Sequence, residues 1–117
     1  MQRPSFNSVV IKSVDEARVR TAVEQYALSL LDANPAVREI VVFGSFESGT
    51  YAPGSDVDIF VLLSDADKPV RDRIPDFLPS AFPVPIDVFP FTQQEVDELG
   101  SSPILAAVAA SHWRYRR

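Results

Sequence analysis

Three short apolar runs, separated by turn residues and prolines, constrain the fold of this chain more than any other feature. They are REIVVF at 38–43, DVDIFVLL at 56–63 and VPIDVFPF at 84–91. Short runs rich in β-branched and aromatic side chains are typical of buried strands. The prolines of the third run favour the edge of a sheet, because proline has no N–H to donate. The sequence therefore predicts a short mixed sheet of about three to four strands.

Segments with helical signals alternate with these runs. Ser13 with Glu16 forms a capping-box pattern ahead of an apolar stripe, and Thr92 with Glu95 forms a second one. The predicted helices cover 13–33, 46–49 with Ser45 as the cap, 67–80 limited by Pro75 and Pro79, 93–99, and 103–112 after Ser102. This order of elements predicts an α/β (α+β) fold in which helices flank a small sheet.

The composition describes a globular protein with an acidic balance. With 117 residues, 46% of them hydrophobic, the chain is predicted to form a single domain over 1–117. Its formal net charge of -5 argues against broad electrostatic binding of nucleic acid. Cysteine is absent, and no apolar run approaches membrane-spanning length. Since the first residues also lack a signal-peptide core, we expect a soluble cytoplasmic protein.

Two aspartates stand at the start of the second apolar run. Asp56 and Asp58 are two residues apart, so their side chains point to one face of a strand, roughly 6.5–7 Å apart at Cα. Asp87 interrupts the third run, where a carboxylate is unfavourable unless it has a partner. If the two runs form neighbouring strands, three carboxylates converge, and divalent cations such as Mg²⁺ would offset their repulsion. Two such ions can polarise a phosphate and activate an attacking hydroxyl.

Each of these signals alone also has an ordinary structural explanation. A DVD sequence is most often a solvated strand end, a glycine–serine pair is usually a turn, and a single edge aspartate can guard against aggregation. Their order and spacing along one chain favour a phosphate site. Gly44 and Ser45 follow the first run, where a missing side chain lets phosphate approach backbone amides and a hydroxyl can donate to it.

The combination of GSFESG, SDVDIFV and PIDVFPF resembles the motifs of the minimal nucleotidyltransferases, a family of the polymerase-beta superfamily. The resemblance implies that the nucleotide-binding residues are Gly44, Ser45, Gly49 and Ser55. It also implies two Mg²⁺ ions as cofactors and ATP as a substrate.

The same resemblance assigns the carboxylates. Asp56, Asp58 and Asp87 are the implied catalytic residues and metal ligands, and Asp87, the third carboxylate, also deprotonates or orients the acceptor hydroxyl. One stretch departs from the family pattern, because many relatives carry a cation in the loop, as in GSRARG, where this chain has Phe46 and Glu47. Either magnesium and the helix N-terminus then suffice, or Arg71 or Arg73 reaches in, or nucleotide binding is weak.

Other charged and aromatic residues receive structural interpretations. Arg71 and Arg73 are expected on a solvated helix face. His112 is predicted near the end of the last helix, where a cation suits the helix dipole. Trp113 and Tyr115 are expected to cap the core or form a contact surface, and the RYRR tail is expected to be solvated.

Three functions fit the resemblance. Stand-alone members of the family look like antitoxins that transfer AMP from ATP to a tyrosine of a helical HEPN-type toxin, which would be the protein partner here. A second possibility is transfer to a small molecule such as an aminoglycoside, although this chain has no room for the helical acceptor domain of those relatives. The third is an antitoxin that has lost catalysis and acts by binding. A homo-oligomer is compatible with each of them.

Overall fold

The structure is a computed structural model that describes the backbone of residues 4–52 and 55–117, with side chains described from Glu16 onward within these ranges. Five helices and four strands are formed there. In chain order they are α1 (Pro4–Ala33), β1 (Val37–Phe43), α2 (Ser45–Ser48), β2 (Val57–Leu63), α3 (Val70–Phe77), β3 (Ile86–Thr92), α4 (Gln93–Leu99), α5 (Pro103–Ala110) and β4 (Trp113–Arg116).

The strands form one mixed sheet in the order β3-β2-β1-β4. β1 pairs antiparallel with both β2 and β4, whereas β2 and β3 are parallel. The predicted α+β class and mixed sheet are therefore confirmed. β3 lies at one edge, as its prolines predict, and β4 occupies the other edge.

Both faces of the sheet are buried. Side chains of α1 such as Val23 pack with Ile40, Ile59 and Trp113 on one face. On the other face, Val108 of α5 packs with the apolar side chains Val41, Phe43 and Phe60. Alternating side chains of central strands therefore enter two separate clusters, which is why these runs are apolar throughout.

α1 begins well before the predicted start at Ser13. It extends from Pro4 to Ala33, so Ser13 lies within the helix and is not its N-cap. Neither glycine nor proline occurs between Pro4 and Ser13, and proline is well tolerated at the first helical position. The C-terminal end near Asn34 is as predicted, and the Asn34 side chain accepts a hydrogen bond from the Ala36 amide at 3.1 Å.

The C-terminal segment differs most from the prediction. α5 ends at Ala110 and not at residue 112, and the RYRR tail, predicted to be solvated, is largely part of β4. The buried Ser111 hydroxyl donates to the Val42 carbonyl at 2.5 Å and accepts from the Trp113 amide at 3.1 Å. These bonds turn the chain out of the helix and into the sheet, where Trp113 joins the core.

Arg73 is predicted on a solvated helix face, but only 5% of it is exposed. Its guanidinium binds both carboxylate oxygens of Glu95, at 2.7 and 2.8 Å. It also donates to the carbonyls of Lys68 at 2.6 Å and Pro90 at 3.0 Å. Arg73 therefore ties α3 to β3 and α4, and a buried cation with this many partners is a structural element.

The capping box at the start of α4 is formed as predicted. The Thr92 hydroxyl accepts from the Glu95 amide at 3.1 Å, and the Glu95 carboxylate accepts from the Thr92 amide at 2.8 Å. Ser102 likewise caps α5, with its hydroxyl accepting from the Leu105 amide at 3.1 Å. Of the helices described, none combines the length and the apolar character needed to cross a membrane.

Candidate active site at the glycine–serine end of the sheet

Strand pairing brings two of the predicted carboxylates together. Asp58 is opposite Asp87 in the parallel β2–β3 pair, and it is opposite Phe43 in the antiparallel β1–β2 pair. Paired residues on neighbouring strands lie roughly 5 Å apart at Cα and project from the same face. The second and third runs thus meet as predicted, at the end of the sheet where β1 leads into Gly44.

Asp58 is the most enclosed of the three carboxylates. It is half-buried, while Asp56 and Asp87 are exposed. The Phe43 and Phe89 rings, with centroids 5.4 Å apart, lie on the same face of the sheet as this carboxylate. Burial raises the pKa of Asp58 above its usual value, and the negative charges of Asp87 and Asp56 raise it further. A cation would relieve this repulsion.

Gly44 packs directly against Asp58. A Cβ atom built on Gly44 would lie 2.5 Å from the Asp58 Oδ2 atom. The backbone of Gly44 also has φ 83° and ψ -152°, a conformation that side chains rarely allow. Glycine is therefore required here for two independent reasons, and the amide-rich turn comes close to the carboxylate because of it.

The helix after Gly44 is a single turn. α2 contains four residues, its N-cap is Gly44, and the predicted cap Ser45 is instead its first residue. The Ser45 hydroxyl makes no hydrogen bond with any described residue, so it is free to donate to a ligand. Gly49 ends the turn in the left-handed conformation and its N–H donates to the Ser45 carbonyl. The Ser55 hydroxyl, by contrast, accepts from the Ala52 amide at 2.9 Å and holds its loop.

Phe46 and Glu47 of the loop after Gly44 both have partners in the fold. Phe46 is buried and stacks on Tyr51, with ring centroids 4.1 Å apart. Glu47 accepts from the backbone amide of His112 at 3.3 Å. The loop is therefore held by an aromatic stack and a contact to the segment before β4, a contact that the sequence alone does not reveal.

Neither arginine proposed as a substitute cation reaches this site. Arg73 is bound to Glu95 and Pro90, near the opposite end of β3 from Asp87. Five residues of strand separate Asp87 from Thr92, which is roughly 16 Å. Arg71 is exposed and its contact is with Asp72, at 3.8 Å. The hypothesis that one of them neutralises the triphosphate is therefore wrong.

The carboxylates suit a hard cation by chemistry, but they do not form a complete cage. Among the residues that the structure describes, no group of three His, Cys, Asp or Glu side chains is arranged to hold a metal ion. Mg²⁺ is commonly held by one or two carboxylates together with substrate phosphates and water. The neighbouring carboxylates at Asp58 fit that mode, since the nucleotide would supply the remaining oxygens.

A mixed sheet with a glycine–serine turn beside strand-borne aspartates defines the nucleotidyltransferase class. The chain matches the family of nucleotidyltransferase domains over residues 23–105 and belongs to that family. This range includes Gly44, Asp58 and Asp87 but ends before β4. Domains of this family generally use a nucleoside triphosphate and a divalent metal ion.

A solved structure shares the fold. It is the crystal structure of a candidate nucleotidyltransferase from Sulfolobus solfataricus, which is 21% identical in sequence with a TM-score of 0.60. The match covers 75% of this chain and 79% of that protein. No curated protein matches the sequence.

Replacing Gly44 with alanine should damage the site more than it damages the fold. The added Cβ must displace the Asp58 carboxylate, and a misplacement of about 1 Å can cost about 100-fold in rate. The strained backbone should lower the free energy of unfolding by about 1–3 kcal/mol. Nucleotidyl transfer and urea unfolding of the purified Gly44→Ala variant would measure both effects.

Gly49→Ala is the matched control. Gly49 also has a positive φ, 81°, but nothing lies within 4 Å of the position that a Cβ atom would take there. This change should cost about 1–2 kcal/mol of stability and leave Asp58 in place. Equal losses of transfer in the two variants would show that contact with Asp58 is not the reason for glycine at position 44.

Proposed function

We propose that this protein is a magnesium-dependent nucleotidyltransferase that moves AMP from ATP to a hydroxyl of a protein partner. The acceptor oxygen attacks the α-phosphorus, the bond from the α-phosphorus to the bridging oxygen breaks, and pyrophosphate leaves. The observation that carries the proposal is the register that sets Asp58 opposite Asp87 next to Gly44. That arrangement combines a cation site with a turn that a phosphate can approach.

The residues take distinct roles in this reaction. Asp56 and Asp58 would hold Mg²⁺, which supplies charge neutralisation at the transferred phosphate and at the leaving group. Asp87, exposed at the start of the edge strand β3, faces the side from which an acceptor can approach, so it orients the hydroxyl and takes its proton. The Ser45 hydroxyl and the adjacent backbone amides contact phosphate oxygens.

A protein acceptor fits the open site. Asp58 and Asp87 do not line the cavities found between α1 and the segment after α3, at the far end of β2, beside α4 and beside β4. A small acceptor without a pocket would lose the benefit of positioning. A folded partner would bring both the hydroxyl and the missing wall, and the net charge of -5 suits a basic one.

The partner that we propose is a helical HEPN-type toxin, with this chain as its antitoxin. Co-expression with the protein of an adjacent gene, followed by incubation with ATP and Mg²⁺ and intact-mass measurement, tests the proposal. We expect the partner to copurify and to gain the mass of one or more AMP groups on tyrosine, serine or threonine. Labelling of an aminoglycoside in place of the partner would favour a small-molecule nucleotidyltransferase.

A second candidate is an antitoxin that acts by binding without catalysis. It is favoured by the acidic Glu47 in the loop and by the lack of a three-ligand cluster among the described residues. The same experiment separates the two candidates. A partner that copurifies and is inhibited, but gains no AMP and loses none of its inhibition when Asp58 is changed, would establish the binding function.

Asp87→Asn should separate chemistry from nucleotide binding. The change nearly preserves shape but removes the negative charge that accepts the proton, so transfer should fall by about 100-fold or more. Binding of ATP with Mg²⁺, measured by titration calorimetry, should weaken less than in Asp58→Asn. Wild-type rates in Asp87→Asn would remove this residue from the mechanism.

A further inference from the structure

The glycine–serine turn needs a source of positive charge that the loop does not provide. A bound triphosphate would place several negative charges beside Asp58, whose pKa is already raised by burial and by its acidic neighbours. The loop contributes the acidic Glu47. Mg²⁺ neutralises the phosphates that it contacts, but a distal phosphate turned away from the carboxylates requires other donors.

Most basic side chains of the described residues are far from this end or already occupied. Lys68 pairs with Asp76 at 2.6 Å and lies beyond the far end of β2. Arg114 lies on β4, near this end of the sheet, but its guanidinium already has several partners. It binds Glu39 at 3.0 Å and the Ser111 carbonyl at 2.9 Å, with further bonds to α5 carbonyls. Neither can serve a ligand at Gly44 without breaking its own contacts.

His112 lies at the same end of the sheet as Gly44 and Asp58. Val42 pairs with Trp113 and Phe43 pairs with Asp58. His112 directly precedes Trp113, and its backbone amide donates to the Glu47 carboxylate of α2 at 3.3 Å, which places it beside the turn that follows Gly44. His112 is exposed, and its imidazole makes no hydrogen bond or ion pair with the described residues.

A cavity opens beside α2 at this end of the sheet, on the face that α1 covers. Its lining includes Arg20, Glu47, His112 and Trp113. The Arg20 guanidinium lies 4.3 Å from the centroid of the Trp113 ring, and it contacts Glu16 at 3.3 Å. Both members of that ion pair are about half-exposed, with 55% and 47% of their side chains accessible. Such a pair contributes little, so Arg20 can exchange Glu16 for a stronger anion.

We propose that this cavity is a subsite for the distal phosphates of the nucleotide, with Arg20 and His112 as its donors; the inference rests on the proposed function. An imidazole can donate to a phosphate oxygen from one nitrogen when neutral and from both when protonated. Arg20 can present two parallel N–H groups to one phosphate. The positive charge missing from the loop is thus supplied by α1 and by the turn before β4.

Inorganic tripolyphosphate and ATP, each with Mg²⁺, are the probes for this subsite. His112→Ala and Arg20→Gln should each weaken binding of both probes by about tenfold, the loss expected for one charge-assisted hydrogen bond. AMP, which lacks distal phosphates, should bind all variants as it binds the wild type. Arg20→Lys should recover part of the affinity. Titration calorimetry and thermal shift provide the measurements.

Arg116→Ala is the control. It removes one positive charge from the end of β4 that lies away from the cavity, where Arg116 binds Glu39 at 2.8 Å. It should leave tripolyphosphate binding unchanged. Wild-type affinity for tripolyphosphate in both His112→Ala and Arg20→Gln would overturn the subsite. If those variants lose tripolyphosphate affinity but the wild type transfers no nucleotide, the subsite stands and the proposed function fails.

Discussion

Asp58→Ala is expected to lower nucleotidyl transfer by about 1,000-fold or more, the largest effect of any single change in this chain. Several kcal/mol of charge stabilisation depend on the cation that this carboxylate would hold, and each 1.4 kcal/mol corresponds to about tenfold in rate. The wild type should melt at a higher temperature with ATP only when Mg²⁺ or Mn²⁺ is present. Ligand at 100 times its dissociation constant adds about 2.7 kcal/mol, which is easily measured.

Removing the charge of Asp58, which should abolish most transfer, should instead stabilise the protein when no metal is present. The Asp58 carboxylate is partly desolvated and repelled by Asp87 and Asp56, as its raised pKa indicates. Asp58→Asn keeps the shape and removes the repulsion, so the variant should melt at a higher temperature than the wild type when no metal is present. A metal-independent ATP shift, or an ATP and Mg²⁺ shift that survives in Asp58→Ala, would contradict the proposed cation site.

Glu95→Ala is expected to lower the free energy of unfolding by about 3–5 kcal/mol, because it leaves a buried arginine charge without its carboxylate. Arg73 is 5% exposed and would retain only its carbonyl partners, Lys68 and Pro90. The change also removes one half of the capping box of α4. Gln94→Ala, on the exposed face of the same helix, should stay within about 0.5 kcal/mol of the wild type in urea unfolding.

Glu95 should also make the fold sensitive to acid. Arg73, and to a lesser degree the Thr92 amide, lower the pKa of Glu95 to about 2, from an ordinary value of 4.5. Because the pKa is lower in the folded state, the stabilisation is complete above the unfolded value and is lost as the pH falls toward about 2. Glu95→Gln should flatten this part of the profile. If the free energy of unfolding of Glu95→Gln fell with pH as steeply as that of the wild type, the acid sensitivity would come from other carboxylates.

Much of the fold was predictable because the local signals agreed with one another. The three apolar runs form β1, β2 and β3, and the prolines of the third run mark an edge strand. β4 was not predicted, since four residues with two arginines carry little strand signal and its pairing with β1 is set by a hydrogen bond from Ser111 to Val42. A contact between residues so far apart in the chain leaves no local pattern.

The burial of Arg73 could have been predicted from its position in α3, although its charge argued for a solvated site. Arg73 lies three residues after Val70 and four before Phe77, which places it on the buried stripe of the helix. Its carboxylate partner also belongs to a capping box, so Glu95 has two roles that one motif does not reveal. At the site, the pairing of Asp58 with Asp87 followed from strand geometry, whereas Asp56 lies just before β2 and is not paired with β3. The contact of Gly44 with Asp58 and the position of His112 depend on register across β1.

The Pro90 carbonyl has a consequence for how other chains can meet this sheet. On the outer side of β3, Pro90 offers no N–H, and its carbonyl is already taken by Arg73 at 3.0 Å. An incoming strand would find neither donor nor acceptor at this residue, so β-augmentation along this edge is blocked in the middle of the strand. A chain that docks on the β3 edge must therefore use side chains or the ends of the strand in place of a continuous backbone ladder.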